Sequence, residues 1–148
     1  MNLQNAISPE TETTHVRILV VDDHEVMRMG IRNLLEAVPH WSVCAEASNG
    51  TEAIEKSVQF QPDIIIMDIT MPGMNGLEAA GEIAKVRPEI PVIMFSLHLS
   101  DDLVKHFQTG RIRGSVGKGE AARDLVDAVK KVLGGGTFFP QKDVKGLN

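Results

Sequence analysis

The sequence holds a single cysteine and no apolar run long enough to cross a membrane. Cys44 cannot form a disulfide bond within the chain, and we interpret it as a small core side chain. A transmembrane helix needs about 20 apolar residues, and no run approaches that length. The first fourteen residues lack the basic and then apolar layout of a secretion signal. We therefore expect a cytoplasmic location and no membrane partner.

Basic residues are also scarce. Lys and Arg number 15 against 20 Asp and Glu, which gives a formal net charge of -5. Binding to nucleic-acid phosphates requires clustered basic residues, so we expect no direct nucleic-acid binding by this segment. At 148 residues, of which 43% are hydrophobic, the chain suits one globular domain and is too short for two comfortable ones.

The chain does have a regular alternation of strand and helix patterns. Short β-branched runs such as Ile18–Val21 and Ile64–Met67 are typical of buried parallel strands. Five strand-helix units joined by short links predict an α/β fold, a doubly wound five-stranded parallel sheet with helices on both faces. The expected strands are Val16–Val21, Trp41–Ala47, Asp63–Asp68, Val92–Phe95 and Arg113–Val116.

Two of the intervening helices carry particular expectations. The first is expected to place Val26, Gly30, Ile31, Leu34, Leu35 and Val38 on one face. The fourth is expected to be capped by Ser100 and Asp101, to contain Leu103, Val104 and Phe107, and to end at Gly110.

Polar side chains follow the predicted strand ends. Asp22 and Asp23 follow the first strand, Asp68 ends the third, Ser96 the fourth, and Lys118 lies just past the fifth. Open parallel sheets bind ligands at this edge, so we expect these groups to converge. Two carboxylates ~4 Å apart repel by about 1 kcal/mol in water and about 4 kcal/mol at a dielectric of 20. A hard divalent cation such as Mg²⁺ removes that repulsion.

Such a site suits phosphoryl transfer. An aspartate can act as a nucleophile and form an aspartyl phosphate. Lys118 and Ser96 would then bind phosphoryl oxygens, and the metal would bridge a third.

The chain resembles the receiver domain of two-component response regulators, with the chemotaxis-regulator (CheY-like) fold. Asp22-Asp23-His24, with Arg28 and Gly30 following, is similar to the NarL/FixJ subfamily, whose receivers usually precede a LuxR-type DNA-binding module. Asp68 to Gly76 resembles the phosphoacceptor loop. The resemblance implies the sheet order 2-1-3-4-5 and three parts: a disordered extension at 1–14, a receiver domain at 15–138, and a tail or start of a linker at 139–148.

The resemblance also implies residue roles at the acidic edge. Asp68 would accept phosphate from a phosphohistidine on a sensor histidine kinase. Asp22, Asp23 and Asp68 would bind Mg²⁺ together with the backbone carbonyl of Thr70.

Further roles implied by the resemblance concern the surrounding positions. Lys118 would pair with the acceptor carboxylate and then with the phosphoryl group, and Ser96 would move toward the phosphate and drive a conformational switch. Pro72 and Gly76 would shape the loop. The switch position, where many relatives carry Tyr or Phe, is Ser115 here. The chain departs from the family pattern at this point.

The function implied is a self-phosphorylating receiver, not an enzyme that turns over an external substrate. Its partners would be a sensor histidine kinase, a second copy in a homodimer, and DNA only through a helix-turn-helix domain that this chain does not contain. A phosphatase of the haloacid dehalogenase class would need an acid at Thr70, and a dinucleotide-binding domain would need a glycine-rich first turn. A stand-alone or pseudo-receiver interaction module stays open because of Ser115.

Overall fold

The computed structural model describes residues 14–100, 103–105 and 111–139. The expected N-terminal extension, apart from Thr14, and the tail after Phe139 lie outside these residues. The same holds for Asp101, Phe107 and Gly110 of the expected fourth helix. Within the described ranges, none of the helices has the length and apolar character of a membrane span.

The described residues form one parallel sheet flanked by helices. The strands are β1 (Val16–Val21), β2 (Trp41–Ala47), β3 (Ile64–Asp68), β4 (Val92–Ser96) and β5 (Ile112–Gly117). The helices are α1 (Glu25–Glu36), α2 (Gly50–Phe60), α3 (Gly76–Val86) and α4 (Ala121–Leu133), with a 3₁₀ turn at Lys118–Glu120. The strand order is β2-β1-β3-β4-β5 and every pairing is parallel, which confirms the predicted fold class.

Successive residues in the apolar runs of the central strands contribute to two different cores, one on each face of the sheet. Successive strand residues point to opposite faces, so a sheet covered on both sides needs continuous apolar strands. The core against α1 and α4 contains Ile18, Val20, Ile31, Leu35, Ile64, Ile66, Phe95, Leu125 and Val129. The core against α2 and α3 contains Leu19, Val21, Ala53, Ile65, Met67, Ala80, Ile83 and Met94. Full burial of each large apolar side chain contributes about 1.5–3 kcal/mol to the stability of the fold.

The buried stripe of α1 differs from the expected one. Ile31 and Leu35 are buried, and Met27 and Leu34 pack partly beside them. The predicted members Val26 (80% exposed) and Gly30 face solvent. The helical period explains the error, because one residue turns the helix by about 100° and the true stripe begins at Met27 rather than Val26.

Two local features complete the fold. Cys44 is half-buried in β2, where the pairing with β1 passes over it, and burial raises the pKa of its thiol. Before the helical residues 103–105, the Ser100 hydroxyl accepts the Leu103 N–H at 3.1 Å, as expected of a cap.

Candidate functional site

Strand register brings the predicted acids and the lysine to one edge. Val21 pairs with Met67, so Asp22 and Asp68 are the next residues on neighbouring strands. Ser96 pairs with Gly117, which places Lys118 one position further on. The Lys118 Nζ lies 2.8 Å from Asp22 Oδ2 and 3.3 Å from Asp68 Oδ1. The structure therefore brings Asp22, Asp68 and Lys118 together, as the sequence predicts.

The two oxygens of Asp68 have different surroundings. Oδ1 faces Lys118 and accepts the Thr70 N–H at 3.2 Å. Oδ2 is buried and has no hydrogen-bond partner among the described residues. An unpaired buried carboxylate oxygen is unfavourable unless a ligand completes it, so this oxygen is available for a ligand.

Electrostatics at the edge are unbalanced. Burial, together with repulsion from Asp22, raises the pKa of Asp68 to about 6, although Lys118 and the Thr70 N–H act in the opposite direction. Burial of the Lys118 ammonium acts to lower its pKa, but Asp22 and Asp68 more than offset this and raise it. The lysine is therefore charged at neutral pH, and the two acids compete for it.

A second group of ligand atoms lies beside this pair. One atom each from Asp22, Asp23 and His24 lies within 4.8 Å of the others, a spacing that could hold a metal ion. Asp68 is not part of this close group. His24 is the N-cap residue of α1, but its side chain makes no cap hydrogen bond, and its Nδ1 lies 3.3 Å from Asp22 Oδ1 and 3.2 Å from Asp23 Oδ1.

The hydroxyl of Ser96 is buried at the end of β4 and points toward its own loop. It accepts the His98 N–H at 3.2 Å, and its other close contact is the His98 carbonyl at 3.4 Å. Ser96 thus lies at the predicted edge, but the hydrogen bonds found for its hydroxyl are to His98 rather than to Asp68.

The loop after Asp68 is held close to the strand. Gly76 begins α3, and its N–H donates to the Ile69 carbonyl at 2.8 Å. A Cβ at Gly76 would collide with the Asp68 carbonyl, so only glycine allows this approach. Asn75 and Glu78 form a reciprocal capping box that fixes the start of α3. Thr70 and Pro72 are exposed.

Two supporting contacts were not predicted. The Lys118 Nζ lies 5.7 Å from the centre of the Phe95 ring, so the buried ring supports the ammonium from below. The Arg28 guanidinium donates to the Asp22 carbonyl at 2.7 Å and to Glu46 Oε1 at 2.7 Å. Arg28 was visible only as part of the resemblance, because nothing in the sequence indicates a contact with the strand-end backbone.

Ser115, the switch position, is fully buried in β5. It pairs with Met94, and its hydroxyl has no hydrogen-bond partner in the part of the chain that is described. The small side chain therefore leaves the β4–β5 face without an aromatic at this point.

The fold and the edge define a flavodoxin-like α/β protein with an acidic ligand site at the carboxyl ends of its strands. Residues 18–130 match the family model described as the response regulator receiver domain. The chain therefore belongs to the receiver domain family of two-component response regulators.

Named relatives and a solved structure agree with this assignment. The chain is 31% identical over 95% of its length to the transcriptional regulatory protein DegU of Brevibacillus brevis, and 36% identical over 90% to the response regulator protein VraR of Staphylococcus aureus (strain Mu3). It spans 60% and 64% of those two proteins. A LuxR-family two-component response regulator from Aurantimonas sp. SI85-9A1 superposes with a TM-score of 0.79 at 34% identity, covering 84% of this chain and 89% of that one. The predicted subfamily resemblance is confirmed.

Proposed function

We propose that the chain receives a phosphoryl group on Asp68 from a phosphohistidine of a sensor histidine kinase. The observation that carries the proposal is that the two oxygens of the Asp68 carboxylate have different surroundings. Lys118 and the Thr70 N–H hold Oδ1, while Oδ2 is buried and has no hydrogen-bond partner among the residues that the structure describes. That arrangement presents one oriented oxygen to an incoming electrophile.

The proposed reaction is a transfer between two protein groups. An Asp68 oxygen attacks phosphorus, the P–N bond breaks, and its electron pair returns to the kinase imidazole. The Lys118 ammonium neutralises charge on the phosphoryl oxygens at the carboxylate it already contacts. Because each chain is modified once, the domain acts as a signalling switch and not as an enzyme with an external substrate.

The residues present fit Mg²⁺. Asp22 Oδ2 and Asp23 Oδ1 are buried and lack a hydrogen-bond partner within the described ranges, and both residues belong to the close group that could hold a metal ion. Asp68 lies outside that group and stays a predicted ligand. Lys118 is near Asp22 Oδ2, but that pair does not have hydrogen-bond geometry. An all-oxygen carboxylate set suits a hard divalent cation, and Mg²⁺ would supply positive charge to the phosphoryl oxygens. The Thr70 carbonyl stays a predicted ligand.

The proposed switch begins at Ser96. Its hydroxyl now receives the His98 N–H. A phosphoryl group on Asp68 adds close to two negative charges and strong acceptor oxygens. The hydroxyl would donate to one of them and shift the loop that follows β4.

The proposed output is transcriptional control through a DNA-binding domain outside this chain. DegU is named a transcriptional regulatory protein, and the solved relative is named a LuxR-family regulator. A homodimer and a cytoplasmic location belong to the same proposal. The alternative, a pseudo-receiver that binds partners without phosphate, is favoured only by Ser115, which lacks the aromatic side chain of the switch.

Labelling with a small phosphodonor tests the proposal. With acetyl phosphate and Mg²⁺, we expect intact-mass spectrometry to show one phosphoryl group on the wild-type chain and none on Asp68→Asn. Asp63→Asn is the matched control, because Asp63 is an exposed acid just before β3 at the opposite edge. Labelling of Asp68→Asn would remove Asp68 from its role, and an unlabelled wild-type chain would favour the pseudo-receiver.

A further inference from the structure

The segment after α4 returns to the sheet and closes its β5 edge. Following the turn at Gly134–Gly136, Phe138 forms a parallel bridge with Gly114. The Phe138 N–H donates to the Arg113 carbonyl at 3.0 Å, and the Ser115 N–H donates to the Phe138 carbonyl at 2.8 Å. These residues form a one-bridge sixth strand, here called the strap (137–139).

The two aromatic residues of the strap pack on opposite faces of the sheet. Phe138 packs against the core shared with α1 and α4, and Phe139 packs against the core shared with α2 and α3. Because Phe138 pairs with Gly114, the parallel register sets Phe139 beside Ser115. A Cβ on Gly114 would lie 3.0 Å from the Phe138 carbonyl, so glycine there permits the close approach.

The apolar cluster covered by Phe139 also receives side chains from the segment that follows Ser96. Leu99 and Leu103 pack against the same apolar cluster as Phe139. Ser115 faces this side next to Met94, and its buried hydroxyl has no hydrogen-bond partner in the described ranges. The segment that follows Ser96 and the strap therefore pack against one apolar cluster, on the side that Ser115 faces.

We propose that the strap is a displaceable strand whose docking competes with the phosphorylated state. This inference rests on the function proposed above. When Ser96 leaves the His98 N–H for a phosphoryl oxygen, the segment carrying Leu99 shifts, and the apolar cluster that Leu99 shares with Phe139 rearranges. The strap holds by one bridge and two half-buried rings, so its docking is weak enough to be displaced. Phosphorylation at Asp68 thus releases the strap from β5.

Thermodynamic linkage couples docking of the strap to binding of a phosphoryl group in both directions. If phosphorylation disfavours docking, then weakening the strap must favour binding of a phosphoryl mimic by the same factor. Phe139→Ala removes the ring from the Ser115 side and touches no residue of the acidic edge. Phe60→Ala is the matched control, because Phe60 is a half-buried ring at the end of α2, outside the strap.

The experiment compares the chain with and without beryllofluoride and Mg²⁺. Hydrogen exchange resolved at single amides reads the strap at Ser115 and Phe138, and fluorine NMR measures beryllofluoride affinity. We expect saturation to speed exchange at both amides by about tenfold, and Phe139→Ala to raise the affinity while Phe60→Ala leaves it unchanged.

The contrary outcomes separate the two proposals. If wild type does not bind beryllofluoride at all, the phosphoacceptor function fails, and the strap proposal fails with it. If binding is normal but the two amides exchange equally or more slowly, only the strap proposal is overturned. Equal beryllofluoride affinity in Phe139→Ala and wild type overturns it as well.

Discussion

Two charged clusters of the molecule differ in how completely their charges are paired. The strand-end cluster holds three carboxylates and one ammonium, from Asp22, Asp23, Asp68 and Lys118. The α1–β2 network holds two guanidinium groups and two carboxylates, from Arg28, Arg32, Glu36 and Glu46. Formal charges sum to zero in the network and leave an excess of two negative charges in the strand-end cluster.

The network is saturated by short contacts. Glu46 receives Arg28 at 2.7 Å and Arg32 at 2.6 Å, and the Glu36 carboxylate receives Arg32 at 3.2 Å and the Val43 N–H at 2.8 Å. Burial acts to raise the pKa of Glu46, but the two arginines outweigh it and lower the pKa. These contacts tie α1 to the edge strand β2.

Paired charge stabilises the fold in the network, whereas the unpaired charge of the strand-end cluster is what the proposed binding of Mg²⁺ requires. In the strand-end cluster, burial and the neighbouring Asp22 raise the pKa of Asp68 to about 6. A shifted pKa is also a statement about stability. The metal-free domain is therefore less stable than it would be without this charge, and a cation that binds the acids recovers the difference.

The largest stability effect is expected from removing the one cation of the strand-end cluster. Lys118→Met leaves Asp22 and Asp68 buried without a counter-charge. Breaking a buried pair in this way typically destabilises by about 3–5 kcal/mol. Urea unfolding at neutral pH measures the loss, and we expect Mg²⁺ to restore part of it.

Lys85→Met is the control for that measurement. Lys85 is 72% exposed and pairs with Glu82 at 3.2 Å on the surface of α3, and pairs of this kind contribute little. Similar losses of unfolding free energy in the two variants would mean that the buried ion pairs of Lys118 contribute no more to stability than an exposed pair does.

The next effect is expected to have the opposite sign. Asp68→Asn removes a carboxylate whose folded pKa is raised from 3.8 to about 6. At about 1.36 kcal/mol per unit, the variant gains up to about 3 kcal/mol at neutral pH without metal. The gain is full above the folded pKa, declines as pH falls from about 6 to about 4, and vanishes where Asp68 is protonated in both states.

Urea midpoints across that pH range check this prediction, with Asp127→Asn, at an exposed acid on α4, as the control. A destabilised Asp68→Asn at neutral pH would contradict the unbalanced-charge account. A gain that persists unchanged at acid pH would contradict it too, because the protonated carboxyl and the amide then carry the same charge.

Most of the fold was predictable because it depends on short-range patterns. Apolar runs identify the strands, and the five strand ends then fix which polar residues share an edge. The predicted apolar face of α1 began one residue too early, at Val26. The moderately apolar pattern of this helix does not exclude that choice of face. Between β4 and β5, the expected cap at Ser100 is present, and Phe107 and Gly110 lie outside the described residues.

The sequence allowed us to predict which residues lie at the strand-end edge, but not which contacts they make. Register alone brings Lys118 to Asp68, yet whether Ser96 bonds to the acid or to its own loop depends on a hydroxyl torsion that no spacing encodes. Phe95 under the ammonium and Arg28 behind the first acid are contacts between distant chain segments. The strap is another such contact, since Phe138 meets Gly114 only after α4 has folded back.

The smallest effect is expected in the saturated network. Glu46→Gln weakens two arginine contacts at a side chain that is 27% exposed, so the loss is about 1 kcal/mol or less. Because the folded pKa of Glu46 is lowered, its contribution is present above the unfolded pKa and is lost as pH falls through the folded one. Glu46→Gln should therefore destabilise at neutral pH, where Asp68→Asn stabilises, and Mg²⁺ should not change its effect. Urea unfolding with and without Mg²⁺ measures both points, and a Glu46→Gln loss that Mg²⁺ repairs would mean that the two clusters act as one site.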